Sequence, residues 1–150
     1  MTTNDSLIPA EWYAAAARDL KSAKTLLGDN DEVLAVAGML LQQAVEKYLK
    51  GYLLSKGWRL VKTHDLGELL KSLIAYDKDF EEFTDTCLQI THFYFENRYP
   101  LRVSSPVVRE DVEKLFDMVQ GAVRLPCVCR RVTTGNMNAR YCYGLTMDKQ

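Results

Sequence analysis

The sequence predicts an all-α fold, an antiparallel up-down helical bundle of four to five helices with a non-helical C-terminal tail. Three observations carry that expectation. Apolar residues recur at spacings of three and four in five separate segments before residue 126. Glycine, proline or an acidic capping residue stands between those segments. The connectors are short, which suits antiparallel neighbours.

The first helix begins near Pro9, which a first helical turn tolerates because its missing N–H has no intrahelical partner there. Trp12, Ala16, Leu20, Ala23 and Leu27 form its apolar stripe. Trp12 reads as a core residue. Arg18, Asp19, Lys21 and Lys24 lie mostly off the stripe, and Gly28 ends the helix.

Asp29 with Glu32 resembles a capping box for the second helix. Its stripe runs Leu34, Ala37, Leu41, Ala44, Val45, Tyr48 and Tyr52, and Gly57 closes it. At about 26 residues it is the longest predicted element, about 39 Å at the usual helical rise. The other face carries Gln42, Gln43, Glu46, Lys47 and Lys50. Glu46 has two readings, a solvated residue of that face or a buried and paired carboxylate.

Residues 57–64 form a connector, in which Trp58 marks a bundle end or an interface. Asp65 with Glu68 caps a short third helix burying Leu66, Leu69, Leu70 and Leu73. Asp79 with Glu82 caps a fourth, with Phe80, Phe83, Cys87, Ile90 and Tyr94 on one side. Pro100 disfavours a helical Tyr99 and breaks the pattern. A fifth helix starts at Ser105-Pro106, carries Val108, Val112, Leu115, Val119 and Val123, and ends at Pro126.

The bundle therefore spans residues 8–125. Residues 126–150 form a basic tail without helical period, either unstructured or a short hairpin around Thr134-Gly135-Asn136. No internal repeat is visible.

Composition narrows the class. The chain has 150 residues, 47% of them hydrophobic and 26% charged, which excludes bulk disorder. No apolar run reaches the roughly 18 to 20 residues of a membrane helix, so no membrane partner is expected. Residues 1–9 hold Asp5, no basic residue and no long apolar segment, so a cytoplasmic location is expected. Net charge is −1, but it is unevenly spread. Residues 1–125 carry 15 Lys and Arg against 19 Asp and Glu, while residues 126–150 carry 4 against 1, a faint basic patch at the tail.

Cys87 reads as a small core residue. Cys127, Cys129 and Cys142 offer three thiols and no histidine, short of a four-ligand zinc set. They read as reduced thiols, and neither metal nor cofactor is expected.

Two histidines limit acid–base chemistry. His64 precedes the third helix, and His92 lies late in the fourth. No phosphate-cradling glycine loop, metalloprotease motif or nucleophile elbow is present. The segment 97–109 holds Arg98, Arg102 and Arg109 without an acid until Glu110. Arginine forks beside a helix start suit an anion, and Tyr94 and Tyr99 suit stacking on a base. The competing reading packs Arg98 inward as an ion-pair partner.

Four elements resemble one family. Gln42-Gln43-Ala44-Val45-Glu46-Lys47-Tyr48-Leu49-Lys50-Gly51 resembles the signature second helix of HEPN domains (higher eukaryotes and prokaryotes nucleotide-binding). Thr63-His64-Asp65-Leu66, running on to Leu69-Leu70, resembles that family's start of the third helix. Asn97-Arg98-Tyr99-Pro100 is similar to its arginine-tyrosine-proline element. Trp12-Tyr13 and Asp19-Leu20-x-x-Ala23 fit its first helix. Order and spacing agree over residues 8–125.

The resemblance implies a bacterial or archaeal helical bundle, usually a homodimer, often encoded beside a minimal nucleotidyltransferase in a toxin–antitoxin-like pair. It also implies nucleotide or RNA binding, with Arg98, Arg102, Tyr99 and Lys47 as candidate phosphate or nucleotide ligands. Many members are metal-independent ribonucleases carrying arginine, four to six residues, then histidine near the last long helix. Arg98 and Arg109 have no such histidine, so the match is to the branch without that motif. Arg59 and His64 fit the spacing but lie in the wrong connector.

Three readings follow. The first is a non-catalytic module that binds nucleotide or RNA phosphate near Arg98. The second is a metal-independent ribonuclease with an altered site, drawing on His64, Arg98 and His92. The third is a structural interaction bundle in which Glu46 pairs with Arg98.

Overall fold

A computed structural model describes residues 5–28, 30, 33–98 and 108–124, apart from the side chains of residues 93, 95–98 and 118–124. The described residues form five α-helices: α1 (Pro9–Leu27), α2 (Leu34–Ser55), α3 (Leu66–Tyr76), α4 (Thr84–Arg98) and α5 (Arg109–Arg124). A 3-10 segment, Lys78–Phe83, joins α3 to α4. The fold is all-α, as the periodicity predicts. No described helix is long and apolar enough to cross a membrane.

α2 is the centre of the bundle and packs against all four other helices. Its longest contact is with α1, and the pairing is antiparallel: Tyr13 meets Gly51, while Asp19 meets Lys47. The two backbones come close at Gly51, where an added Cβ would lie 3.0 Å from Cε1 of Tyr13 and 3.2 Å from Cβ of Trp12. Leu20, Leu41, Leu53, Leu69, Ile90 and Phe116 join all five helices in one apolar core. Each such side chain contributes about 1.5–3 kcal/mol by leaving water.

Local signals explain the element ends. α2 stops at Gly57, whose φ of +81° is the left-handed conformation that glycine adopts without strain. The N–H of Gly57 donates to the Leu54 carbonyl at 3.0 Å, and that of Trp58 donates to the Leu53 carbonyl at 3.1 Å. This is a Schellman stop, completed by the Trp58 ring packing on the core. Asp65 caps α3 by accepting from the N–H groups of Gly67 at 2.7 Å and Glu68 at 3.3 Å. Glu68 takes the hydroxyl of Thr63 at 2.9 Å.

Several expectations are corrected. α2 is 22 residues long, shorter than predicted. Trp12 is half-buried, because Tyr13 takes the inward position and the Trp12 indole donates to the Ser6 carbonyl at 2.8 Å. Asp77, two residues before the predicted cap Asp79, starts the 3-10 segment by accepting from the N–H of Asp79 at 3.1 Å. α4 begins only at Thr84. Val108 is exposed and precedes α5, whose inner face starts with Val112, Leu115 and Phe116. The polar face predicted for α2 is largely inside: Gln42, Glu46 and Lys50 are all buried. The Asp29–Glu32 box, the Ser105-Pro106 start and the 126–150 tail lie outside the described residues.

Candidate functional site

Gln42, Glu46 and Lys50 fall four residues apart on α2, so they share one stripe. That stripe faces the end of the α2–α3 connection, at His64 just before α3. Buried polar groups need partners, and here they supply one another. Lys50 Nζ donates to Glu46 Oε1 at 2.7 Å. Gln42 Nε2 donates to Glu46 Oε2 at 3.4 Å and to the His64 carbonyl at 3.1 Å. Lys50 also sits 5.5 Å from the centre of the Trp12 ring, a cation–π contact that ties α1 to the cluster.

His64 completes the arrangement from the connector. Its Nδ1 lies 3.2 Å from Glu46 Oε1 and 3.1 Å from Oε2. The Glu46 side chain is 9% exposed, whereas that of His64 is 72% exposed. The result is an imidazole anchored from below by a carboxylate and open to solvent above. Such a ring can bind an anion or move a proton.

The other candidates separate. Lys47 forms an ion pair with Asp19 of α1, a partner the sequence reading did not assign. That pair occupies Lys47 within the bundle. His92 is exposed on α4. Arg98 is the last residue of α4, with its side chain outside the described set, and Tyr99 and Arg102 also lie outside. Arg109, part of the arginine-bearing segment, donates to the carbonyl of Leu27. A cation there satisfies an orphan acceptor at the C-terminus of α1.

Sequence reasoning therefore missed Gln42 and Lys50 as parts of a buried polar network. The usable signal was their spacing with Glu46 on a helix otherwise apolar. The expected Glu46–Arg98 pair cannot be matched to a described Arg98 side chain, but the Glu46 carboxylate has Lys50, Gln42 and His64 around it. Among the described residues, no group of three or more His, Cys, Asp and Glu forms a metal-binding cluster.

A family model described as HEPN domain matches residues 10–127. The match covers most of the chain, and the chain belongs to that family. Comparison with curated proteins and with solved structures found no match.

Proposed function

We propose, with HEPN membership as premise, that this protein is a non-catalytic module that binds a nucleotide or RNA phosphate near Arg98. In this reading it acts as a cytoplasmic homodimer beside a minimal nucleotidyltransferase, in a toxin–antitoxin-like pair. One observation favours it over a purely structural bundle: the counter-charge of buried Glu46 is Lys50, 2.7 Å away. Glu46, the acid that the structural reading pairs with Arg98, therefore has a counter-charge on its own helix. The planar fork of a guanidinium suits a bidentate phosphate contact.

The test is a fluorescence titration of labelled single-stranded RNA with the wild type and Arg98→Ala. Arg98→Ala is expected to keep the wild-type melting temperature and weaken binding. It should also reduce the slope of log affinity against log salt by about 0.7, the loss of one phosphate contact on a single strand. A large drop in melting temperature with unchanged affinity would favour the structural bundle. Co-purification with a neighbouring nucleotidyltransferase, and a dimer mass by light scattering, test the partner and the assembly.

The Glu46–His64 contact supports a second reading, a metal-independent ribonuclease. His64 would take the proton of a 2′-hydroxyl as its oxygen attacks the adjacent phosphorus. The bond from phosphorus to the 5′-oxygen of the next nucleotide would break to leave a 2′,3′-cyclic phosphate. The 5′-oxygen would take a proton from the imidazolium or water, and an arginine would hold the phosphate. RNA cleavage in EDTA that is lost in His64→Ala would select it.

A further inference from the structure

An ionised carboxylate only accepts hydrogen bonds, so the His64 nitrogen facing Glu46 carries the proton. That fixes the tautomer. Nδ1 is the donor, and Nε2 is the basic nitrogen of the neutral ring. Gln42 holds the same residue by its backbone carbonyl at 3.1 Å, so ring and main chain are both pinned.

The charges set what Nε2 can do. Glu46 and Lys50 cancel each other at 2.7 Å. A proton taken up at Nε2 therefore leaves the cluster with one net positive charge, at its exposed edge. The connector adds exposed cations at Arg59 and Lys62. Of the nearby acids, Asp65 is turned to the N–H groups that start α3, and Glu68 accepts the hydroxyl of Thr63. On α1, the neighbouring group is the Trp12 ring over Lys50. An imidazolium so placed favours a singly or doubly charged oxyanion.

We infer that Nε2 of His64 is a contact point for a phosphate ester, and that Glu46 is the positioning residue that keeps the proton on Nδ1. This rests on the phosphate-binding reading above and adds the α2–α3 connector to the binding surface. No covalent step is involved: the protonated Nε2 donates to a phosphate oxygen.

The experiment follows the ring nitrogens of His64 by long-range proton–nitrogen NMR in the whole chain. Adenosine 5′-monophosphate and a short single-stranded oligoribonucleotide are added separately, to distinguish free nucleotide from RNA. At about pH 8 the spectrum of the neutral ring should show the Nδ1–H tautomer. Addition of the bound ligand should move Nε2 more than Nδ1. His64→Ala should lose about tenfold in affinity for that ligand while keeping its fold, since the side chain is exposed. Glu46→Gln should shift the tautomer toward Nε2–H and alter the pH profile of binding. Glu46→Asp should restore neither, because its carboxylate is one carbon short of the ring.

An Nε2–H tautomer in the wild type would overturn the inference, and so would RNA binding that leaves Nε2 unmoved and survives His64→Ala. In the latter case binding near Arg98 would still stand. Absence of binding by the wild type to either probe would overturn both. The wild-type spectrum and His64→Ala decide the matter even where Glu46→Gln fails to fold.

Discussion

The carboxylate of Glu46, buried on α2, holds the exposed imidazole of His64 through Nδ1 at 3.1 Å. The two residues are 18 positions apart, and the α2–α3 connector brings them together. The contact links the interior of the bundle to its surface. Its electrostatic support is Lys50, and that dependence yields the first prediction.

Lys50→Ala leaves Glu46 buried with its main counter-charge removed. The expected loss of stability is about 3–5 kcal/mol, as for other buried pairs broken on one side. Urea unfolding of both proteins measures it. A loss below about 1 kcal/mol, the scale of an exposed pair, would show that the network is wet and weak.

Gly51 sets the spacing of α1 and α2. Gly51→Ala brings a Cβ to 3.0 Å from the Tyr13 ring and 3.2 Å from Cβ of Trp12, so the ring and the α1 backbone must both give slightly. Gly51→Leu cannot be relieved that way. It should cost about 1–3 kcal/mol or more as overpacking, far above the alanine variant. Equal melting temperatures for the two variants would contradict the close crossing.

Gly57 meets no atom within 4 Å of an added Cβ, so its constraint is the backbone alone. Gly57→Ala should destabilise by about 1–2 kcal/mol, because φ of +81° strains an L-residue. Gly57→Asn, which tolerates that region better, should recover part of the loss. Thermal melts of the pair check the order.

Burial pushes the Cys87 thiol from its ordinary 9.0 up to about 12. Below pH 9.0 both folded and unfolded chains hold it neutral. Between pH 9.0 and about 12 the unfolded chain gives up this proton while the folded chain keeps it, so this group's contribution to stability falls as pH rises. Iodoacetamide at pH 8, followed by peptide mass spectrometry, should leave Cys87 unmodified until the chain is unfolded. Rapid labelling of the folded protein would place Cys87 outside the core.

Much of the bundle was legible because apolar spacing is a direct record of helix burial. Leu20, Leu41, Leu69 and Ile90 are buried where the stripes put them, and Asp65 caps α3 as its spacing with the following turn suggests. The same logic failed for Gln42 and Lys50, and for Glu46 it left open the buried, paired state that the structure shows. Periodicity assigns polar residues to solvent, and their burial depends on one another and on a connector folding back over α2. It failed for Trp12 because Tyr13, one position on, points inward instead. His64 stood out as a histidine beside a helix start, within Thr63-His64-Asp65-Leu66, but its partner 18 residues earlier could not be read from spacing.

The most direct test of the account is one incubation of purified wild-type protein with labelled structured RNA in EDTA, split between a native and a denaturing gel. The account predicts a shifted band on the first and full-length RNA on the second. Shortened RNA would contradict a non-catalytic module and select the ribonuclease, while the absence of a shifted band together with intact RNA would contradict RNA binding.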